Sequence, residues 1–174
     1  MKKNYTIYTD GSCTGHWMSG NNTGKSYGSF AFCVLENGKK IHEHSVFEWD
    51  TTNNRMEISG VLYGLKFLKS EGYIENIKIY SDSLYVINSS TRWLSRWKKE
   101  WEKNINNEIK NRDLWEDMYE TMKDMDITFC FVKGHNGNEW NEYVDDLCTQ
   151  EVNKQGLKSF EQMKKNKKKE KIVL

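Results

Sequence analysis

The sequence predicts a mixed α/β domain, one sheet with helices on its faces, in the order βββ-α-β-α-α-β-α. Three observations carry this. Residues 4–10, "NYTIYTD", alternate in polarity as a half-buried strand does. Residues 29–48, "SFAFCVLENGKKIHEHSVFE", read as two strands around Asn37-Gly38, the strongest short signal for a hairpin turn. Stepping from Glu57 by threes and fours meets Gly60, Val61, Gly64, Leu65 and Leu68, with Leu62 beside them and Lys66 and Lys69 off that face. This is a small and apolar stripe of helical period.

The elements follow in order. The first strand stops at Asp10-Gly11-Ser12, and residues 13–27, rich in Gly, Asn, Ser and Thr, read as a long loop. After the hairpin, Thr51 to Asn54 offer N-cap side chains to a helix that runs to about Lys69 and ends near Gly72. "IKIYSD" is a strand ending at Asp82, and "SLYVINSS" begins a helix straight after it. Residues 91–111 are basic and polar with three tryptophans. "RDLWEDMYETMK" is a helix with Leu114, Trp115, Met118 and Met122 on one side, "ITFCFV" a buried type of strand, and "NEWNEYVDDLCTQEVNKQG" a last helix.

With 174 residues and 13 % aromatic content, the chain can fill one core. Its formal charge of +1 hides an asymmetry: from Lys158 onward seven lysines stand against two glutamates, so the tail carries +5 and the body −4. An acidic body argues against a simple electrostatic nucleic-acid binder and for one that collects carboxylates around cations. Cys13, Cys33, Cys130 and Cys148 form no CxxC pair and have no zinc spacing, so reduced thiols in a cytoplasmic protein are expected. "MKKNYTIYTDG" has no apolar signal core and no stretch approaches a membrane span, so no membrane association is expected. Residues 1–156 are read as one catalytic domain and residues 157–174 as a flexible lysine-rich tail.

The chemistry lies in the acids. "IYTDGS" and "IYSDSL" each end a strand with Asp after a hydroxyl residue. If those strands are parallel neighbours, Asp10 and Asp82 share the carboxyl edge of the sheet, where open α/β sheets bind ligands. Either Asp alone also suits strand termination or helix capping. Glu57 stands on the apolar face of the intervening helix, and a buried carboxylate is costly unless something pairs with it. Three converging carboxylates raise one another's pKa values, and a hard divalent cation such as Mg²⁺ resolves the conflict. Glu57 is therefore expected to face metal. Asp145 or Asp146, on the last helix, offers a fourth acid. Four carboxylates around paired Mg²⁺ ions suit in-line displacement at a phosphodiester. His135, in the glycine-flanked "GHNG" loop, is a candidate to move protons or help product leave.

"YTDGS", "TTNNRME", "YSDS" followed by "TRWLSRWKK", and "VKGHNGNEWNEYVDDL" resemble, in order and spacing, the successive signatures of type 1 ribonuclease H over about residues 4–155. The resemblance implies the ribonuclease H-like fold, a five-stranded mixed sheet of three antiparallel strands plus two parallel ones, flanked by helices. It implies Asp10, Glu57, Asp82 and Asp145 as the metal-binding catalytic set, Asp145 being preferred to Asp146 by its distance from the KGHNG loop. His135 becomes the mobile histidine that assists turnover. The implied activity is endonucleolytic hydrolysis of the RNA strand of an RNA–DNA hybrid, leaving 3′-hydroxyl and 5′-phosphate ends. Two Mg²⁺ ions, or Mn²⁺ in their place, serve it with substrate bound.

Such an enzyme reads both strands. Asn53 and Asn54 are short amides suited to the 2′-hydroxyls in the wide minor groove, a role the resemblance supports. Thr52 matches a position that contacts a DNA phosphate, and helix capping is compatible with all three. Trp93 and Trp97, with Arg92, Arg96, Lys98 and Lys99 beside them, supply aromatic surface and charge for the DNA strand. Tyr85 matches a further wall of that channel. "WKKEWEKNINNEIKN" resembles the family's basic protrusion, although Glu100, Glu102 and Glu108 make it less basic than many. The loop from Gly15 to Ser26 is longer than the family pattern. The expected partner is the hybrid duplex, with no obligate protein partner, and the expected state a monomer. The rival readings are a catalytically inactive hybrid-binding module and a DNA nuclease of the same superfold.

Overall fold

The computed structural model describes residues 2–15, 25–103, 108–134 and 136–172, the last six as backbone alone. Strands β1 (Tyr5–Thr14), β2 (Tyr27–Glu36), β3 (Lys39–Trp49), β4 (Ile77–Ser81) and β5 (Ile127–Phe131) form one sheet in the order β3-β2-β1-β4-β5. β1, β2 and β3 pair antiparallel, whereas β1–β4 and β4–β5 are parallel. The mixed sheet expected from the sequence is the one observed.

Helices cover both faces. On one lie α1 (Asn53–Ser70), α2 (Leu84–Asn88), α3 (Leu94–Glu102) and α4 (Arg112–Met122), on the other α5 (Glu139–Asn153). The residues of β2 divide accordingly. Phe32 and Val34 pack with Ile58, Val61 and Leu65 of α1, while Ala31, Cys33 and Leu35 pack with Val144 and Cys148 of α5. A strand covered on both faces loses the alternation that marks a half-exposed one, hence the unbroken apolar run "FAFCVL". The hairpin turns at Asn37 and Gly38, whose φ values of 49° and 82° are those of a primed turn.

The stripe on α1 is buried throughout. Its off-face lysines tie the helix to α4: Lys66 pairs with Asp117, and Lys69 Nζ donates to the carbonyls of Glu120 and Thr121. Those carbonyls belong to the last turn of α4, which has no helical donors left for them.

Two features differ from the sequence reading. β1 does not stop at Asp10 but runs to Thr14, because Gly11, Ser12, Cys13 and Thr14 pair with Phe30, Ser29, Gly28 and Tyr27 of β2. These are turn-forming residue types recruited into a ladder by tertiary pairing. The helix after Asp82 is not uniform: α2 passes into a π-helical turn, Ser89–Trp93, before α3 begins. Beyond α5, α6 (Phe160–Ile172) is started by a reciprocal cap between Ser159 and Gln162. Of the long loop, residues 16–24 lie outside the described residues, as do residues 104–107 of the protrusion.

Candidate active site

Tyr8 is the register partner of Tyr80 across the parallel β1–β4 pair. Two residues further along both strands stand Asp10 and Asp82, at the carboxyl edge of the parallel strands. Glu57 arrives from above. A Cβ on Gly11 would lie 2.4 Å from the backbone N of Glu57 and the carbonyl carbon of Met56, so only glycine lets α1 settle this close to β1. Gly64 repeats the device one helical repeat on, where a Cβ would meet Ile7 at 2.9 Å. The close approach puts a carboxylate oxygen of each of Asp10, Glu57 and Asp82 within 4.8 Å of the others.

Glu57 has one oxygen left unsatisfied by the described residues. Glu57 is 6 % exposed, and its Oε2 is buried with no hydrogen-bond partner among the described residues. Asp10 Oδ1 accepts the Gly11 N–H at 2.8 Å. Burial pushes the Asp10 carboxyl well above the usual carboxylate range, and the charges of Asp82 and Asp145 push it further. Burial likewise raises Glu57, with Asp10 and then Asp82 adding to it. A buried carboxylate oxygen without a donor, in a cluster that resists ionisation, fits a divalent cation bound through oxygen ligands.

Asp145, half-buried on α5, is near enough to Asp10 to raise its pKa and lies outside the tight triad. Asp146, its neighbour, is exposed. His135 lies outside the described residues. Next to it, Gly134 abuts the cluster: a Cβ there would stand 2.6 Å from Asp82 Oδ2. Ser83 holds Asp82 from the other side by capping α2, its hydroxyl accepting the Val86 N–H at 3.3 Å.

The remaining candidates form two groups. Thr52 is the N-cap of α1, its hydroxyl accepting the Arg55 N–H at 3.3 Å, and Thr52, Asn53 and Asn54 are all exposed. The first turn of α1 carries no acid, which leaves its positive end open to anions. The second group is a run of rings: Tyr85 to Trp115 at 5.9 Å between centroids, Trp115 to Trp97 at 5.7 Å, and Trp97 to Trp93 at 6.0 Å. Trp93 is exposed and Trp97 half-buried. Lys99 is exposed, but Lys98 turns toward α4, with Nζ 3.5 Å from Glu102, 3.6 Å from Glu120 and 5.2 Å from the Tyr119 ring centroid.

Sequence reasoning missed some of these supports. Trp115, read only as a core anchor, is fully buried beneath Tyr85 and Trp97, and its indole N–H donates to the Tyr85 hydroxyl at 3.3 Å. Arg55, beside the two asparagines, forms a bidentate pair with Asp113 of α4 at 3.0 and 2.7 Å. Gly11 had a legible signal, since a glycine inside a strand marks close backbone approach.

A mixed sheet with a buried glutamate and two half-buried aspartates gathered at its parallel edge is the frame of an α/β enzyme with a site able to hold metal. The comparisons narrow the class. The family model for RNase H matches residues 2–153. Ribonuclease H of Thermoanaerobacter sp. strain X514 is 41 % identical over 148 residues, covering 84 % of this chain and 88 % of that one. Ribonuclease H of Acetivibrio thermocellus is 37 % identical over 160 residues, 91 % of this chain and all of its own. The chain therefore belongs to the ribonuclease H family. The solution structure of the prototype foamy virus RNase H domain shares the fold, with a TM-score of 0.69 at 23 % identity over 87 % of this chain and 95 % of that domain.

Proposed function

We propose that this protein is an endoribonuclease that hydrolyses the RNA strand of RNA–DNA hybrids, using two divalent cations and leaving 3′-hydroxyl and 5′-phosphate ends. The cations are Mg²⁺, with Mn²⁺ able to replace it. The observation that carries the reading is the orphaned, buried Oε2 of Glu57 within a three-carboxylate cluster. Asp10, Glu57, Asp82 and Asp145 hold the cations, which when bound supply positive charge to the attacking water and the leaving oxygen. Water forms the new bond to phosphorus, the bond to the 3′-oxygen breaks, and that oxygen leaves protonated.

The chain's own residues position these groups. Asp10 within β1 and Asp82 just past the end of β4 stand on neighbouring parallel strands, and Gly11 fixes Glu57 against them, so the acids need little rearrangement. Asn53 stands one helical turn before Glu57 on α1, so reading of the 2′-hydroxyls and holding of the cations share one rigid element. Asn54 reads the adjacent position and Thr52 a DNA phosphate. Trp93, Trp97 and Tyr85 line the DNA channel, Lys98 and Lys99 contribute charge there, and His135 assists product release. Residues 1–156 make up the catalytic domain of a cytoplasmic monomer with no obligate protein partner. The free thiols of all four cysteines agree with a reducing compartment, and among the described residues no helix is long and apolar enough to cross a membrane.

The test offers end-labelled RNA, paired with DNA, with RNA or with nothing, in Mg²⁺ and in EDTA. Metal-dependent cuts confined to the RNA of the hybrid are expected. Hybrid binding without cuts would replace this reading with an inactive binding module, and cleavage of DNA with a different nuclease of the same fold.

A further inference from the structure

The lysine-rich segment is docked beside the acids. Ser159, 3 % exposed, donates its N–H to Gln162 Oε1 at 2.9 Å while its hydroxyl accepts the Gln162 N–H at 3.4 Å. That hydroxyl also meets Thr149 Oγ1 of α5 at 3.5 Å. From β2, the Tyr27 hydroxyl donates to the Lys158 carbonyl at 2.8 Å and reaches Met163 Sδ at 3.9 Å. Between α5 and α6 lies a cleft of about 480 Å³, with Asp145, Asp146 and Thr149 on one side and Ser159, Glu161, Gln162 and Lys165 on the other. The cleft thus joins the start of α6 to Asp145, the α5 acid next to the cluster.

Six of the thirteen residues of α6 are lysines: Lys164, Lys165, Lys167, Lys168, Lys169 and Lys171. Lys164 is turned back over the Phe160 ring and toward Glu161, whereas Lys165 is exposed on the cleft. The body has a formal charge of −4 and gathers three acids at the point where a phosphodiester must approach. A polyanion nearing that edge is repelled unless cations stand beside it. A helix of this length spans about 20 Å, roughly six phosphate spacings along one strand.

From the docking, the charge and the position together, we infer that α6 is a phosphate-binding strap that holds the hybrid's backbone alongside the carboxylate cluster. This rests on the hybrid-cleaving reading above and adds a second binding surface to it, across the site from the aromatic wall's helices. The strap acts on substrate affinity and leaves the chemical step alone.

The test uses the full chain and a labelled hybrid in Mg²⁺, with KM and kcat measured over a series of salt concentrations. One variant changes all six α6 lysines to Gln. A second, Tyr27→Phe with Ser159→Ala, keeps every lysine but removes the docking hydroxyls. The lysine variant is expected to raise KM about 10-fold or more near 0.1 M salt, with kcat within about twofold. Its log(kcat/KM) should fall with log[salt] by a slope shallower by about 2, as loss of two or three phosphate contacts requires. The docking variant should shift KM the same way by a smaller factor. Unchanged KM and slope in the lysine variant would overturn the strap while leaving the hybrid-cleaving reading intact. An effect of the lysines without any effect of the docking variant would overturn the docked arrangement. A wild-type protein that ignores the hybrid would overturn the functional reading and the strap with it.

Discussion

Asp10→Asn should make the metal-free protein more stable while abolishing its cleavage of hybrid. The carboxylate oxygens of Asp10, Glu57 and Asp82 lie within 4.8 Å of one another, and Asp10 takes part in two of the three repulsive pairs. Two unit charges at that separation repel by about 3.5 kcal/mol at an effective dielectric constant near 20. Proton uptake relieves part of this, in line with the raised pKa values of Asp10 and Glu57. The net gain on removing the Asp10 charge near neutral pH is then about 2–4 kcal/mol, or roughly 5–15 °C in Tm for a domain of this size. Asn keeps the side-chain oxygen that accepts the Gly11 N–H, so the local backbone is undisturbed. The sign with pH follows from the same shifts. A raised carboxyl binds a proton in the folded state that it has lost in the unfolded one. Its contribution is therefore complete below the unfolded pKa, near 4, and is lost as pH rises through the folded pKa. Thermal unfolding in EDTA should show the wild-type Tm falling from pH 5 to pH 8, as the unfolding free energy drops by about 1.4 kcal/mol per pH unit for each proton released. The Asp10→Asn variant should fall less steeply and stand above wild type at pH 8. Mg²⁺ should raise the wild-type Tm by more than that of the variant. A variant equal to or below wild type in EDTA at pH 8 would refute the repulsion argument, and normal turnover in it would refute the assignment of Asp10.

Trp93→Ala combined with Trp97→Ala should raise KM for the hybrid about 10-fold or more, since base or sugar stacking on an aromatic ring contributes about 1–3 kcal/mol per contact; steady-state kinetics with unchanged KM would remove the channel. Gly11→Ala forces a methyl to 2.4 Å from the Glu57 backbone, so α1 must lift, at a cost of about 3 kcal/mol in urea unfolding and a loss of Mg²⁺ response. Wild-type stability in that variant would show that the close contact does not set the site. Arg55→Ala breaks a largely exposed bidentate pair with Asp113 and should cost less than about 1 kcal/mol, measured by the same unfolding curves. A larger loss would mean that the pair does more than join two exposed side chains.

The strands, the hairpin turn and the face of α1 were legible because each is written in local periodicity or turn chemistry. So was the meeting of Asp10 with Asp82, through the like-patterned segments "IYTD" and "IYSD", and of both with Glu57, through an acid misplaced on an apolar stripe. What stayed hidden depends on partners distant in sequence. Ser12 to Thr14 look like a turn until β2 pairs with them. The contacts of Lys98 with Glu120 and Tyr119 of α4 join helices that are separated in sequence. The lysines of α6 look like a solvated extension, and only Tyr27, more than 130 positions earlier, and Thr149 show where the helix begins to dock. Trp115 shows its second role only when Tyr85 and Trp97 fold over it.

The claim on which the account turns is that Glu57 is buried for the sake of a divalent cation. Calorimetric titration of Mn²⁺ into the wild-type protein and into Glu57→Gln, both without substrate, tests it most directly. Saturable binding to the wild type that weakens at least 10-fold in the variant is the predicted result. Equal affinity and stoichiometry in the two would contradict it, and would leave the buried carboxylate without a purpose in this site.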